Sequence, residues 1–155
     1  MRWQCIGCAC LLALLWSAAA ALPVRAQATD SLLGSTPPAW QVSSWINSPA
    51  LELSQLTGRV VLVRFWTAPD CPFCAASAPA LNDFHARYAS RGLRVIGFYH
   101  HKARSPLDAS AVAQYAKLFG FGFPIAIDAE WKTLRRWWLD AARRDYTSVT
   151  FLIDR

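Results

Sequence analysis

The sequence predicts one three-layer α/β domain, and three observations carry that prediction. Val60 to Trp66 is a continuous apolar run broken only by Arg64, as expected of a strand buried on both faces. From Cys71 the apolar spacing turns helical. Strand-like and helix-like stretches then alternate as far as Arg155.

Taken in order, Trp40 to Ile46 alternates weakly and reads as an edge strand or hairpin. Leu51 to Leu56 is a short turn leading to Gly58. Val60 to Trp66 is the first central strand. In the helix opening at Cys71, Leu81, Phe84 and Tyr88 are expected along one face, with Gly92 near the stop. Leu93 to Tyr99 is the next strand. Ser110 to Phe119 is a helix closed by Gly120 and Gly122. Pro124 to Ile127 is a short strand, Trp131 to Trp138 a helix, and Val149 to Ile153 a final strand. The 155 residues suit one domain, with no repeat and no second boundary visible. Apolar residues are too plentiful for a disordered chain.

Residues 1–26 are set apart from this domain. Arg2 gives a positive start, Cys5 to Leu22 is apolar and Ala-rich, and Val24-Arg25-Ala26 presents small or modest residues to a signal peptidase. The pattern is that of a secretory signal peptide cut after Ala26, with Ala28 a second candidate. The rival is a retained membrane anchor, for which the apolar core is marginal against the ~20 residues a bilayer needs. Lipoprotein processing does not fit, because Cys5, Cys8 and Cys10 precede the apolar core. Residues 27–39, with Pro37-Pro38, read as a lead-in linker, and residues 40–155 as the domain. The expected location is periplasmic or secreted.

Cleavage would leave two of the five cysteines, Cys71 and Cys74. A disulfide between residues so close removes little unfolded-chain entropy, so the pair reads as redox-active or metal-binding and not as a staple. Cleavage also takes two of the 16 basic residues, Arg2 and Arg25, and no acidic one. That leaves 14 against 10, a net charge of +4. So mild a charge favours acidic partners or an anionic membrane surface only weakly.

Cys71-Pro72-Phe73-Cys74 stands where a buried strand hands over to a helix. Free N–H groups and the dipole at a helix start favour a thiolate on Cys71. That thiolate can attack a partner disulfide, and Cys74, one turn on and facing inward, can release the partner. Pro72 suits the first helical turn, and Phe73 is expected exposed, an apolar contact for a docked protein.

The run Val60 to Trp66, Cys71 to Cys74, then Pro79 five residues on resembles the thioredoxin-like proteins of the TlpA/ResA and redoxin type. Thr150-Phe151-Leu152-Ile153-Asp154 looks like that family's strand near the active site. The resemblance covers about Trp40 to Arg155 and implies a thioredoxin-like fold with a central mixed sheet. It implies a thiol–disulfide oxidoreductase with Cys71 and Cys74 catalytic, and with Pro72, Phe73, Trp66, Ser148 and Val149 contacting substrate. The implied partners are thiol or disulfide proteins, as in cytochrome or cuproprotein maturation, with no cofactor, no metal and no nucleic acid.

The sequence departs from the family in several places. Trp66 and Cys71 are five steps apart where the family has four. Asp70, and not tryptophan, precedes Cys71, and an anion there opposes the thiolate. Arg64 stands where thioredoxin has a buried acid; it is expected to snorkel to the sheet edge, though a cation reaching the pair would favour a thiolate. Ser148 occupies the usual cis-proline position and is expected trans, since a cis bond there costs ~2.5–4 kcal/mol. It either presents its backbone to a substrate or caps a turn. Peroxidase chemistry fails on spacing, because Ala68, not Thr or Ser, stands three residues before Cys71.

His100-His101 is expected on the site's side of the sheet. The pair reads as solvated loop residues; the alternative is a metal-binding module of two Cys and two His. Arg135-Arg136-Trp137-Trp138 reads as a helix burying one tryptophan and solvating its arginines, against a rival basic-aromatic patch for nucleic acid or membrane. A third functional reading is an inactive thioredoxin fold kept for interaction. Relatives follow the strand at Val149 to Ile153 with another strand and a helix, and here nothing follows Arg155. The chain is therefore expected to be C-terminally truncated or to dimerise through that strand's edge, and to be marginal as a monomer.

Overall fold

Val60–Trp66 directs side chains alternately to two faces, and all but Arg64 are apolar, so such a strand belongs inside a sheet. In the computed structural model it is β2, parallel to β3 (Leu93–Tyr99) on one side and antiparallel to β5 (Thr150–Ile153) on the other. β4 (Ile125–Ile127) pairs parallel with β3, and β1 (Ser44–Ile46) antiparallel with β4. The order β1-β4-β3-β2-β5 gives the mixed central sheet expected, with β1 at one edge and β5 at the other. The structure describes residues 32–140 and 144–155; the expected signal peptide and the start of the lead-in lie outside the described residues.

Helices cover both faces. α1 (Pro72–Tyr88) and α2 (Ala109–Leu118) pack on the face that carries Trp66, Val95, Tyr99, Ile125 and Ile127. The buried stripe of α1 is Cys74, Ala78 and Leu81. Phe84, expected on that face, is 39% exposed. At 3.6 residues per turn Phe84 falls roughly a quarter-turn from the Cys74, Ala78 and Leu81 stripe, on the helix flank. On the opposite face, α3 (Lys132–Leu134) starts under the buried Asp128 carboxylate, which accepts the Thr133 and Leu134 amides at 3.3 and 2.8 Å. Burial raises the Asp128 pKa, and these bonds hold part of it back.

α3 runs directly into a π-helical turn, Arg135–Leu139. The single buried tryptophan expected here is corrected to two, for Trp137 and Trp138 are both buried while Arg135 and Arg136 stay exposed. A π turn holds more residues per turn than an α turn, so neighbouring side chains diverge less and both rings reach the sheet. Trp137 packs on Phe65, Phe98 and Phe151 with ring centroids at 6.5, 6.2 and 5.6 Å. Trp138 donates to the Tyr146 carbonyl at 2.9 Å beneath the Arg144 guanidinium, 3.8 Å from its ring centroid.

Gly97, in the middle of β3, is required by packing. A Cβ there would stand 2.8 Å from Ile125 Cδ1 and 2.9 Å from Trp66 Nε1. Both belong to packed side chains, so neither yields cheaply. Gly97→Ala is expected to destabilise the chain by about 1–3 kcal/mol in urea unfolding. A fully neutral substitution would mean that the Trp66 ring is not held where it stands.

Candidate active site

The site lies at the carboxyl ends of β2 and β3. There the His100 amide donates to the Trp66 carbonyl at 3.0 Å and the Asp128 amide to the Tyr99 carbonyl at 2.8 Å, closing the parallel strands into one rim. From that rim the chain turns through residues 68–71, the Cys71 amide donating to the Ala68 carbonyl at 3.1 Å. Cys71 is the N-cap of α1, with extended backbone at φ −78°, and Pro72 follows at the first helical position.

Cys71 and Cys74 are joined as a disulfide, with Cα atoms 5.2 Å apart. The Cys74 amide donates to Cys71 Sγ at 3.3 Å, so a helix-start N–H faces the sulfur directly. The two sulfurs differ in access. Cys74 is 1% exposed in the core, whereas Cys71 is half-buried at the rim. Phe73 is 71% exposed beside them, as expected, and Pro72 is exposed too. Trp66 is corrected as a substrate contact: it is 1% exposed, with its ring against Tyr99, Phe119 and Phe121, and has no surface to offer a docked chain.

Ser148 comes to the pair from the other end of the sequence. Its hydroxyl lies 3.6 Å from Cys71 Sγ and 3.9 Å from Cys74 Sγ. Among the described residues there is no cis peptide bond, so Ser148 is trans as expected. A proline ring has no hydroxyl; here a polar O–H faces both sulfurs. Val149, next along and expected to contact substrate, is instead buried and gives its carbonyl to the Phe65 amide at 2.9 Å, locking this segment against β2.

Two expectations about charged or titratable groups are corrected. His100 is not a solvated loop residue. It is fully enclosed, bonded through Nε2 to the Thr147 hydroxyl at 2.9 Å and edge-on to Trp131 at 5.3 Å. Burial, helped by the positive charge of Lys102, holds its pKa down to about 3, so the ring is neutral. His101 contacts the Tyr99 hydroxyl at 3.1 Å and the Ser105 carbonyl at 2.7 Å. Among the described residues no three His, Cys, Asp or Glu side chains converge in a metal-holding group.

Arg64 does not snorkel to solvent either. It is 8% exposed, and its two terminal nitrogens donate to the Phe73 carbonyl at 3.2 Å and the Thr150 hydroxyl at 3.3 Å. The Phe73 carbonyl also accepts the Ser77 hydroxyl at 2.9 Å. Parity explains the placement: Leu62, Arg64 and Trp66 share the face that looks at α1. Burial lowers the Arg64 pKa from its ordinary value, yet a guanidinium remains charged. Sequence reasoning weighed Arg64 and His100 near the pair without placing either, and missed Thr147 as the partner of His100.

The chain is similar to known proteins. The family model described as Redoxin matches residues 46–155. "Protein DipZ" of Mycobacterium tuberculosis is 31% identical over 124 residues, which is 78% of this chain and 17% of that protein. "Thiol-disulfide oxidoreductase ResA" of Bacillus anthracis is 30% identical over 82 residues, 50% of this chain and 42% of that one. The chain thus spans less than half the length of either relative. The thioredoxin domain of a thiol-disulfide oxidoreductase from Bacteroides vulgatus superposes with a TM-score of 0.61 at 17% identity, covering 78% of this chain and 80% of that domain. That likeness shows the thioredoxin-like fold.

Proposed function

The chain belongs to the Redoxin family, and on that premise we propose that it is a thiol–disulfide oxidoreductase acting on protein partners through Cys71 and Cys74. The observation that carries this reading is the asymmetric pair at the start of α1, with Cys71 at the rim under a helix amide and Cys74 sealed in the core.

In the oxidative direction a partner thiolate attacks Cys71 Sγ. The Cys71–Cys74 bond breaks, Cys74 takes its electron pair, and Cys71 is left in a mixed disulfide with the partner. The partner's second thiolate then attacks its own sulfur in that bond and releases Cys71. Two electrons pass to the pair and the partner leaves as a disulfide. Reduction of a partner runs the same steps backward. Phe73 and Pro72 supply the exposed apolar contact for docking, Ser148 faces the reacting sulfurs, and Val149 fixes the strand beside them. The reading extends to the N-terminus: residues 1–26 are a signal peptide, and the domain works outside the cytoplasm, where the pair meets proteins that carry disulfides.

The chain equilibrated in glutathione buffers of graded ratio should pass reversibly between disulfide and dithiol. Differential alkylation of the peptide holding Cys71 and Cys74, read by mass, follows this pair and leaves Cys5, Cys8 and Cys10 out of the count. A pair that stays in one state across all ratios would sink the proposal.

A further inference from the structure

Arg64 is a full positive charge with 8% of its surface exposed. A buried cation ordinarily sits against an anion, because an unpaired charge in the interior is costly. Its partners here are neutral, a carbonyl and a hydroxyl, and its Nε has no partner among the described residues. The ion pairs among the described residues, Arg87–Asp83 and Lys132–Glu130, lie elsewhere. Both acceptors border the disulfide. Phe73 lies between the two cysteines, and Thr150 is two residues beyond Ser148, which faces both sulfurs.

We propose that the missing anion is the reduced cysteine pair itself, so that Arg64 is a positioning residue whose charge favours the dithiol state and sets this disulfide to accept electrons. The inference rests on the exchange reading above. The balance is simple. A partner dithiol gives up two electrons and two protons and becomes a disulfide. The Cys71–Cys74 bond takes the two electrons and one proton, leaving one thiol and one thiolate, and the other proton goes to solvent. The negative charge exists only after reduction, so attraction to Arg64 stabilises one redox state and not the other. A stabilised reduced form is what makes a dithiol pair more oxidising.

Other charges near the pair do not cancel this. Asp70 precedes Cys71 and opposes a thiolate, but it is exposed and screened by water and salt. His100, held down to about 3, is neutral at pH 7. The Cys74 amide and the Ser148 hydroxyl add dipoles of favourable sense.

The test is the equilibrium constant with glutathione in the full chain and in Arg64→Met and Arg64→Lys, read on the Cys71–Cys74 peptide. Arg64→Met should shift the constant about tenfold toward the disulfide, which is about 30 mV for two electrons, and Arg64→Lys should recover most of that. A folded Arg64→Met chain with an unchanged constant overturns the role of Arg64. Should neither variant fold, the pH dependence of alkylation of the reduced, unsubstituted chain, read by mass on the peptide holding Cys71 and Cys74, decides. A midpoint for this pair below the ~8.5 of free cysteine supports the proposal, and one at or above it overturns the proposal. If glutathione moves the pair in no chain at all, the exchange reading fails first. If it moves the pair equally in every chain, only Arg64 loses its role.

Discussion

Cys74→Ser is expected to accumulate a covalent complex with a partner protein, and Cys71→Ser to accumulate none. The asymmetry follows from access. Only Cys71 stands at the rim, and only its sulfur faces the Cys74 amide. Attack on or by a partner sulfur requires the three sulfurs to line up, and a residue 1% exposed cannot meet an external sulfur without opening the core. Cys74 can reach only Cys71. When the Cys71 thiolate attacks a partner disulfide, serine at position 74 leaves that first step intact and removes the second, so the mixed disulfide persists. Non-reducing gels of cells expressing each variant, with the bands resolved again after reduction, give the measurement. The expected contrast is presence against absence. Equal trapping by both variants, or trapping by Cys71→Ser alone, reverses the assignment.

Acid should destabilise the chain through one histidine. In the unfolded chain His100 takes a proton near its ordinary pKa of ~6.5. In the folded chain burial holds that event down to about 3. Between those values the unfolded state binds more protons than the folded one, so stability rises with pH and falls as pH is lowered. The contribution is complete above about pH 6.5 and is lost progressively toward pH 3, at ~1.4 kcal/mol per pH unit, for a total of roughly 4–5 kcal/mol. Asp128 works in the opposite sense. Its pKa is raised by burial, so the folded chain takes up that proton first and offsets part of the loss at the acid end. Urea unfolding at pH 7, 6, 5 and 4, compared with His100→Gln, isolates the term. The variant should lack the slope between pH 6 and 4, and an identical slope in both chains would remove His100 as its cause.

The strands that position the site were legible because their periodicity is unambiguous. Val60–Trp66 and Leu93–Tyr99 have the expected limits, since a seven-residue stretch that is apolar but for one arginine and carries β-branched residues has few other homes. The turn into α1 was legible from Cys71 and Pro72. The shorter elements were read less well. α2 begins and ends one residue before the expected limits, and the expected helix from Trp131 divides into α3 and a π turn. Local periodicity could not show the π turn, because its wider winding answers to packing of Trp137 and Trp138 on the sheet.

Arg64 and His100 were misread for a common reason. Each was assigned by chemical type, a cation to water and a histidine pair to a loop, when strand parity carried the better signal. Arg64 has the parity of Leu62 and Trp66. His100 continues the alternation of Ile96 and Phe98 one step past β3, toward the aromatic face where it meets Trp131. Ser148 was placed by resemblance to a family strand. Its contact with both sulfurs depends on β5 pairing with β2, which no local pattern encodes.

The contact between Ser148 and Cys71 spans 77 residues of sequence. That separation orders events in time. While the chain is being made, the two cysteines leave the ribosome well before the segment that will shelter them. Being three residues apart, they need only a small loop to meet, but the surroundings that include Ser148 are complete only when β5 closes a long loop onto β2. The pair therefore precedes its surroundings in the order in which the chain can fold. The contact of Ser148 with both sulfurs is among the last that folding can make.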